Sequence, residues 1–221
     1  MRGIIADCNF SGNSNTLNLN GGINPLRLRQ YLLYWDKIDY PSNNIVYIKL
    51  SEEEKYLETV GILQRTHVNF YSDGFISVNP DIFINAQLHA SEKDNQNQGE
   101  IWSLTQNNCE LYLPDEMKTS ENVLQFELHN CLPVPSGGTS LDGILKFKAK
   151  RQNELIALRK ALDAMYDTII DSQCSELQKQ RCIEELQSIM VDVNKATKES
   201  FAKRFLSSLN IEIRLPQSHW L

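Results

Sequence analysis

Asp7 ends a short apolar run, Ile4-Ile5-Ala6, and is the first residue of the chain able to do chemistry. A carboxylate at the end of an opening strand is where a metal-dependent nuclease would place its first acidic ligand. Such a site needs three or four converging carboxylates, because a divalent cation is held by several oxygen donors at once. Asp36, Asp39 and Glu58 are the residues available to complete it. The plainer reading is an Asp that forms a turn at the head of an Asn-rich loop. His129 and Cys131 stand two apart in a segment that reads as a strand, so both side chains share one face, as a nucleophilic pair or half of a zinc site requires. Completion would take a third orienting group, or further ligands such as Cys8 or Cys109, and free cysteine is commonly a small buried hydrophobe. Residues 135–140, Pro-Ser-Gly-Gly-Thr-Ser, precede a helix and could turn backbone N–H groups toward an anion. Neither G-x-x-x-x-G-K nor G-x-G-x-x-G occurs, and Thr139 with Asp142 reads as a capping box. Lys146, Lys148, Lys150 and Arg151 form the one concentrated basic run. On a helix they spread over a broad polar face opposite Ile144 and Phe147, able to grip phosphates or simply to stay solvated.

The elements that must position these residues follow from pattern. With 221 residues, 41% hydrophobic and 23% charged, the chain can bury a core without metal or disulfide. Its five cysteines are unevenly spaced and form no C-x-x-C pair, which points to reduced thiols and a cytoplasmic address. The opening residues lack a basic-then-apolar leader, and no run approaches the roughly 18 apolar residues of a spanning helix, so no membrane is expected. No cofactor or metal is expected either. Residues 2–6 read as a strand and residues 7–23 as a loop. Asn24-Pro25 opens a helix carried by Leu28, Leu32 and Trp35 and ending before Pro41. Residues 45–50 read as a strand, and Ser51 with Glu54 as a capping box opening a helix that closes near Gly61. Residues 67–71 and 75–78, around Ser72-Asp73-Gly74, read as a hairpin. Asn79-Pro80 opens a short helix to about His89, the polar run 91–99 reads as a loop, residues 100–106 and 109–113 as a second hairpin, and 123–132 as another strand.

Residues 141–209 hold no proline and one glycine, Gly143. Apolar residues recur there at three- and four-residue steps, predicting two helices that reverse at 171–175 and pack antiparallel, each ~45 Å long. The expected fold is therefore α+β: a mixed sheet with short helices and hairpins over 1–140, a long antiparallel helical hairpin over 141–209, and a tail over 210–221. One helix–helix seam cannot use every apolar residue of the hairpin. Tyr166, Ile170, Ile183 and Ile189 belong to the surplus, expected to meet the sheet over much of its extent and, where the helices overhang it, another protein or a second copy of the chain. Residues 1–140 carry 9 Lys/Arg against 17 Asp/Glu, while residues 141–209 carry 12 against 10. The acidic part repels phosphate backbones, so nucleic acid is a less favoured partner, confined to the helical region.

Three blocks resemble those of a family of uncharacterised bacterial proteins: residues 32–38 (Leu-Leu-Tyr-Trp-Asp-Lys-Ile), 56–63 (Tyr-Leu-Glu-Thr-Val-Gly-Ile-Leu), and 132–135 (Leu-Pro-Val-Pro) followed by Ile144, Phe147, Arg151, Glu154, Leu155 and Arg159. The resemblance covers most of residues 25–165 and brings no catalytic residues. It implies a bacterial cytoplasmic component, with mobile elements or anti-phage defence as the setting. Two functions are weighed on this basis: a non-enzymatic interaction or regulatory subunit, which is favoured, and a metal-dependent nucleic-acid-processing enzyme of the PIN type with its acidic site near the N-terminal strand.

Overall fold

Ile4 and Ile5 are both fully buried, and consecutive residues of a strand face opposite sides of its sheet, so the opening strand has to be covered on both faces. The structure, a computed structural model, describes residues 1–13, 16–71, 78, 80–106, 132, 134–170, 177 and 181. In chain order its elements are β1 (Arg2–Ile5), β2 (Phe10–Asn13), β3 (Thr16–Leu19), α1 (Pro25–Tyr34), β4 (Lys37–Asp39), β5 (Ser42–Asn43), α2 (Glu52–Thr59), β6 (Leu63–Gln64), β7 (His67–Val68), α3 (Asp81–Asp94), β8 (Ile101–Leu104), α4 (Leu141–Lys150) and α5 (Gln152–Ile170).

The main sheet has the order β6-β4-β1-β8, and each described pairing in it is parallel. Parallel neighbours need a crossover. Helix α1 carries the chain from β1 to β4, and α2 carries it from β4 to β6. Ile4, Ile38 and Leu57 share one core cluster with Leu28 and Leu32 of α1. Ile5 belongs to a second cluster with Trp102 and with Ala90 of α3. The two crossover helices thus cover one face and α3 covers the other. Strand order reverses between β1 and β8, which places the usual ligand crevice of such sheets at their carboxyl ends.

Local sequence explains the helix ends. The Asn24 side chain accepts from the backbone of Leu26 and Arg27, with Pro25 at the first helical position. Ser51 and Glu54 form the expected reciprocal capping box, and Glu54 also accepts from Ile23 N at 2.8 Å. After α2, Ile62 N donates to Leu57 O and Gly61 N to Glu58 O, with Gly61 at φ 74°. This is a Schellman turn, which requires glycine at that point. Helix α1 is buried from Leu28 to Tyr34 on all sides, since α4 packs over the face turned away from the sheet.

The α plus β class stands, with several differences in detail. Residues 37–39 form β4 and do not continue α1, so the helix stops at Tyr34 and Ile38 enters the sheet. The predicted strand at 45–50 is irregular, because Ile45 N and Val46 N donate to the Asn43 side chain at 2.9 and 2.7 Å, where a strand would offer them to a ladder. Part of the expected loop 7–23 is an antiparallel ribbon in which Phe10 faces Leu19 and Gly12 faces Leu17. Helix α3 runs past His89 to Asp94, taking in the start of the polar run. The first arm of the predicted 67–78 hairpin is β7, which pairs in parallel with β5; its turn and most of its second arm lie outside the described residues. So do residues 109–113, the 123–132 strand apart from Leu132, the 171–175 reversal and the regular structure of the second long helix and the tail. The first long helix is divided at Arg151 into α4 and α5.

Trp102 lies across the neighbouring strand so that a Cβ on Gly3 would come within 2.1 Å of its ring. Gly3→Ala is therefore expected to destabilise by about 3 kcal/mol, the upper part of the overpacking range. Gly138→Ala, where a Cβ meets nothing within 4 Å, should stay within about 0.5 kcal/mol. Urea denaturation of the two variants checks both.

Candidate functional site

Asp7 follows β1 at the switch point, and Asp39 closes the neighbouring β4, so both carboxylates stand at the carboxyl end of the sheet. Both are buried. Asp39 accepts from Thr66 N at 3.0 Å, from Thr66 Oγ1 at 2.6 Å and from Gln64 Nε2 at 3.1 Å. Asp94, the last residue of α3, receives the same Gln64 amide at 3.2 Å and hydrogen-bonds Asp39. Burial, followed by that hydrogen bond and the repulsion from Asp39, raises the Asp94 carboxyl to about 7. Near neutrality it can carry a proton that bridges the two acids.

Around Asp7 the crevice is closed. Ala6, Cys8, Tyr40, Arg65, Phe83 and Gln87 converge there and leave about 10 Å³, the threshold for a single water. Gln87 Nε2 ties the ends of β1 and β8 together by donating to Ile5 O at 3.1 Å and Thr105 O at 2.8 Å. Burial and the nearby Asp7 push the Cys8 thiol and the Tyr31 hydroxyl well up, so neither is ionised at neutral pH. The Arg65 guanidinium lies over the Tyr40 ring at 4.9 Å and donates to Tyr40 O and Ile48 O.

The other predicted acids lie elsewhere. Asp36 precedes β4 and so occupies its amino end, with the strand between it and Asp39. There it accepts from Arg2 N at 2.9 Å and from Arg159 at 3.0 and 3.3 Å, with Lys148 at 3.9 Å. Burial pushes its carboxyl up, but the Arg159 and Arg2 hydrogen bonds and the neighbouring cations outweigh this and hold it below the ordinary value. Glu58 is exposed on α2. Among the described residues no three His, Cys, Asp or Glu side chains group as a metal would need. His129 and Cys131 lie outside the described residues.

The basic run divides. Lys148 turns inward, only 20% exposed, and donates to Leu32 O at 3.2 Å and to Trp35 O, capping the end of α1. Burial lowers its ammonium to about 8. Lys146 faces solvent beside Asp142, Lys150 is exposed, and Arg151 pairs with Glu154 at 3.2 Å. In the segment 135–140, Thr139 offers its carbonyl to Arg29 Nε at 2.9 Å, and the cap of α4 is Ser140, accepting from Gly143 N, in place of the expected Thr139. Tyr166 is half-buried against the core, Ile170 ends α5, and Ile183 and Ile189 lie outside the described residues.

Sequence reasoning missed Asp94, placed in a loop, and the role of Arg159, named only within a resemblance block, whose partner Asp36 is 123 positions away. The acidic residue closing α3 was the available signal for the first; no local pattern showed the pairing of the second with Asp36. Residues 10–219 match one protein family, described as "Family of unknown function (DUF6236)". Neither the curated proteins nor the solved structures give a match.

The Asp94 carboxyl is raised from 3.8 to about 7, so between those values the folded chain holds a proton that the unfolded chain has released, and stability falls as pH rises. Thermal unfolding from about pH 5 to about pH 8 should show this decline, and Asp94→Asn, which keeps a donor toward Asp39, should flatten it. Lys148→Met strips the α1 carbonyls of a charged donor and is expected to cost about 2 kcal/mol in urea unfolding, whereas Lys146→Gln should leave the midpoint unchanged.

Proposed function

We propose that this chain, which belongs to the DUF6236 family, is a non-enzymatic protein-interaction or regulatory subunit that meets its partner at the rim on the carboxyl side of the sheet. Tyr47 and Tyr71 carry this reading, at 84% and 87% exposed. They stand on two loops that are braced together: the Asn44 side chain donates to Phe70 O at 3.0 Å and accepts from Phe70 N at 2.8 Å. Tyrosine covers ~150–250 Å² when buried and gives up little rotamer freedom in doing so, which is why it concentrates at the centres of binding surfaces. The carboxylates behind this rim, Asp39 and Asp94, spend their hydrogen bonds on each other, Thr66 and Gln64. Tyr166 packs inward, which moves the favoured surface from the helical region to the sheet rim. The resemblance of the sequence blocks supports a bacterial cytoplasmic complex, with anti-phage defence as its setting.

A metal-dependent nuclease is the second reading, favoured by one observation: Asp7 stands at the switch point beside Asp39. One experiment separates the two. Tyr47→Ser with Tyr71→Ser is expected to leave the urea midpoint within about 0.5 kcal/mol of wild type and to abolish binding of a partner first captured from the host and then reconstituted from purified components, or self-association measured by sedimentation. Divalent-ion-dependent cleavage of DNA or RNA that is lost in Asp7→Asn, with the tyrosine pair dispensable, would reverse the choice.

A further inference from the structure

Asn20 is the one asparagine of the chain that is followed by glycine. Asparagine is labile where the next backbone nitrogen can attack its side-chain carbonyl, and glycine, with no Cβ, hinders that approach least. The fold leaves this dipeptide open. Both residues are exposed just past the end of β3, and Gly21 has φ 115° with nothing within 4 Å of where a Cβ would stand. Among the described residues nothing accepts the Gly21 N–H. A backbone amide left to solvent can give up its proton to water, which a ladder hydrogen bond would oppose.

The chain on either side is pinned. Asn20 N donates to Asn9 O at 2.7 Å and Asn9 N donates to Gly22 O at 2.9 Å, so both flanks of the Asn20–Gly21 peptide are tied to one residue. Gly22 lies against Glu54, whose Oε1 a Cβ there would meet at 2.5 Å, and buried Ile23 donates its N–H to the same oxygen at 2.8 Å. Glu54 is in turn the reciprocal member of the capping box of α2. The main chain between Asn9 and Glu54 is thus held at a set length.

We propose that Asn20 is a site of spontaneous deamidation in the folded chain, and that its isoaspartyl product loosens the joint between the β2–β3 ribbon and α2. The Gly21 nitrogen, having lost its proton to solvent, bonds to Asn20 Cγ; the Cγ–Nδ2 bond breaks and the side-chain amide leaves as ammonia. Water then opens the cyclic imide at either carbonyl, so that water is consumed, ammonia is released and a carboxylate is gained. Opening on the main-chain side gives isoaspartate, which adds a methylene to the backbone between the pinned flanks. This modification goes beyond the protein-interaction reading and stands without it.

The test incubates the full chain at neutral pH and physiological temperature, folded in buffer and unfolded in guanidinium chloride, with peptide mapping and labelling by an isoaspartyl methyltransferase. Isoaspartate at position 20 is expected in the folded sample, formed within about tenfold of the unfolded rate. The isoaspartyl fraction, separated by ion exchange, should melt at a lower Tm than freshly prepared Asn20→Asp, which gains the same charge without the extra backbone atom. A folded chain that keeps its Asn20 amide overturns the proposal, whatever the unfolded sample does. Aspartate as the sole product overturns it equally, since the cyclic imide opens both ways, and equal Tm values would remove the joint from it.

Discussion

From Leu28 to Tyr34 helix α1 is enclosed on every side, and this enclosure governs the rest of the molecule. A helix stretch buried all round has no water to satisfy its final carbonyls or its polar side chains, so each must find a partner within the chain. Arg29, buried on α1, uses Nε on Thr139 O and its terminal nitrogens on Glu53 and Pro25 O, joining α1 to α2 and to the segment that leads into α4. Gln30 donates to Leu132 O. Lys148, reaching from α4, supplies the carbonyls at the end of α1. Burial of one helix thereby fixes where α2, the 135–140 segment and α4 sit. Strands of two to four residues such as β1, β4 and β6 are held by those helices more than by their own ladders.

The two ends of the sheet solve the same problem with different chemistry. At the amino end, Asp36, Arg159, Lys148, Arg2 and Asp163 form a mixed-sign network of partly exposed charges, in which each carboxylate has a guanidinium. At the carboxyl end the described donors to the acid pair are neutral, and the nearby Lys93 lowers the Asp94 carboxyl less than burial and Asp39 raise it. Asp39 takes neutral donors from Thr66 and Gln64, and Asp94 is left beside it with a proton it holds far more tightly than an ordinary carboxyl does. A like pair in a buried place cannot ionise fully at little cost.

Those two ends also mark how far the chain could be read from its residues alone. Caps were legible because they are local: Asn24-Pro25, Ser51 with Glu54 and Gly61 each state their conformation within three or four positions. β1 was legible as an apolar run. β4 was not, because Leu28, Leu32 and Trp35 set a helical rhythm that gives no sign of stopping at Tyr34. The parallel order of the sheet was not either, since pairings such as Ile5 with Leu104 join residues about a hundred positions apart. The acidic candidates failed as a set for the same reason. Asp36 and Asp39 are close in sequence but a strand's length apart in space, while the true neighbour of Asp39 is Asp94 on a helix that sequence ended too early. Lys148 was misassigned to an exposed face because an amphipathic pattern does not show that a long side chain can fold back to cap a neighbouring helix.

Unsatisfied groups extend the same reasoning. A buried polar group with no partner costs ~1–3 kcal/mol in a fold whose whole margin is ~5–15 kcal/mol, so where such groups gather is informative. The Tyr40 hydroxyl is one, in the closed crevice, and there the cost is partly offset by the Arg65 guanidinium over its ring. The Tyr34 hydroxyl and Arg159 Nε are two more, and both residues border a cavity of about 280 Å³ over β1 and β8. The enclosure that satisfies Arg29 and Gln30 on α1, and Lys148 of α4 at its end, leaves the side chain of its last residue, Tyr34, without a partner. The backbone at this end is capped by Lys148, so it is the Tyr34 side chain alone, beside open volume, whose polar atom the described residues do not satisfy.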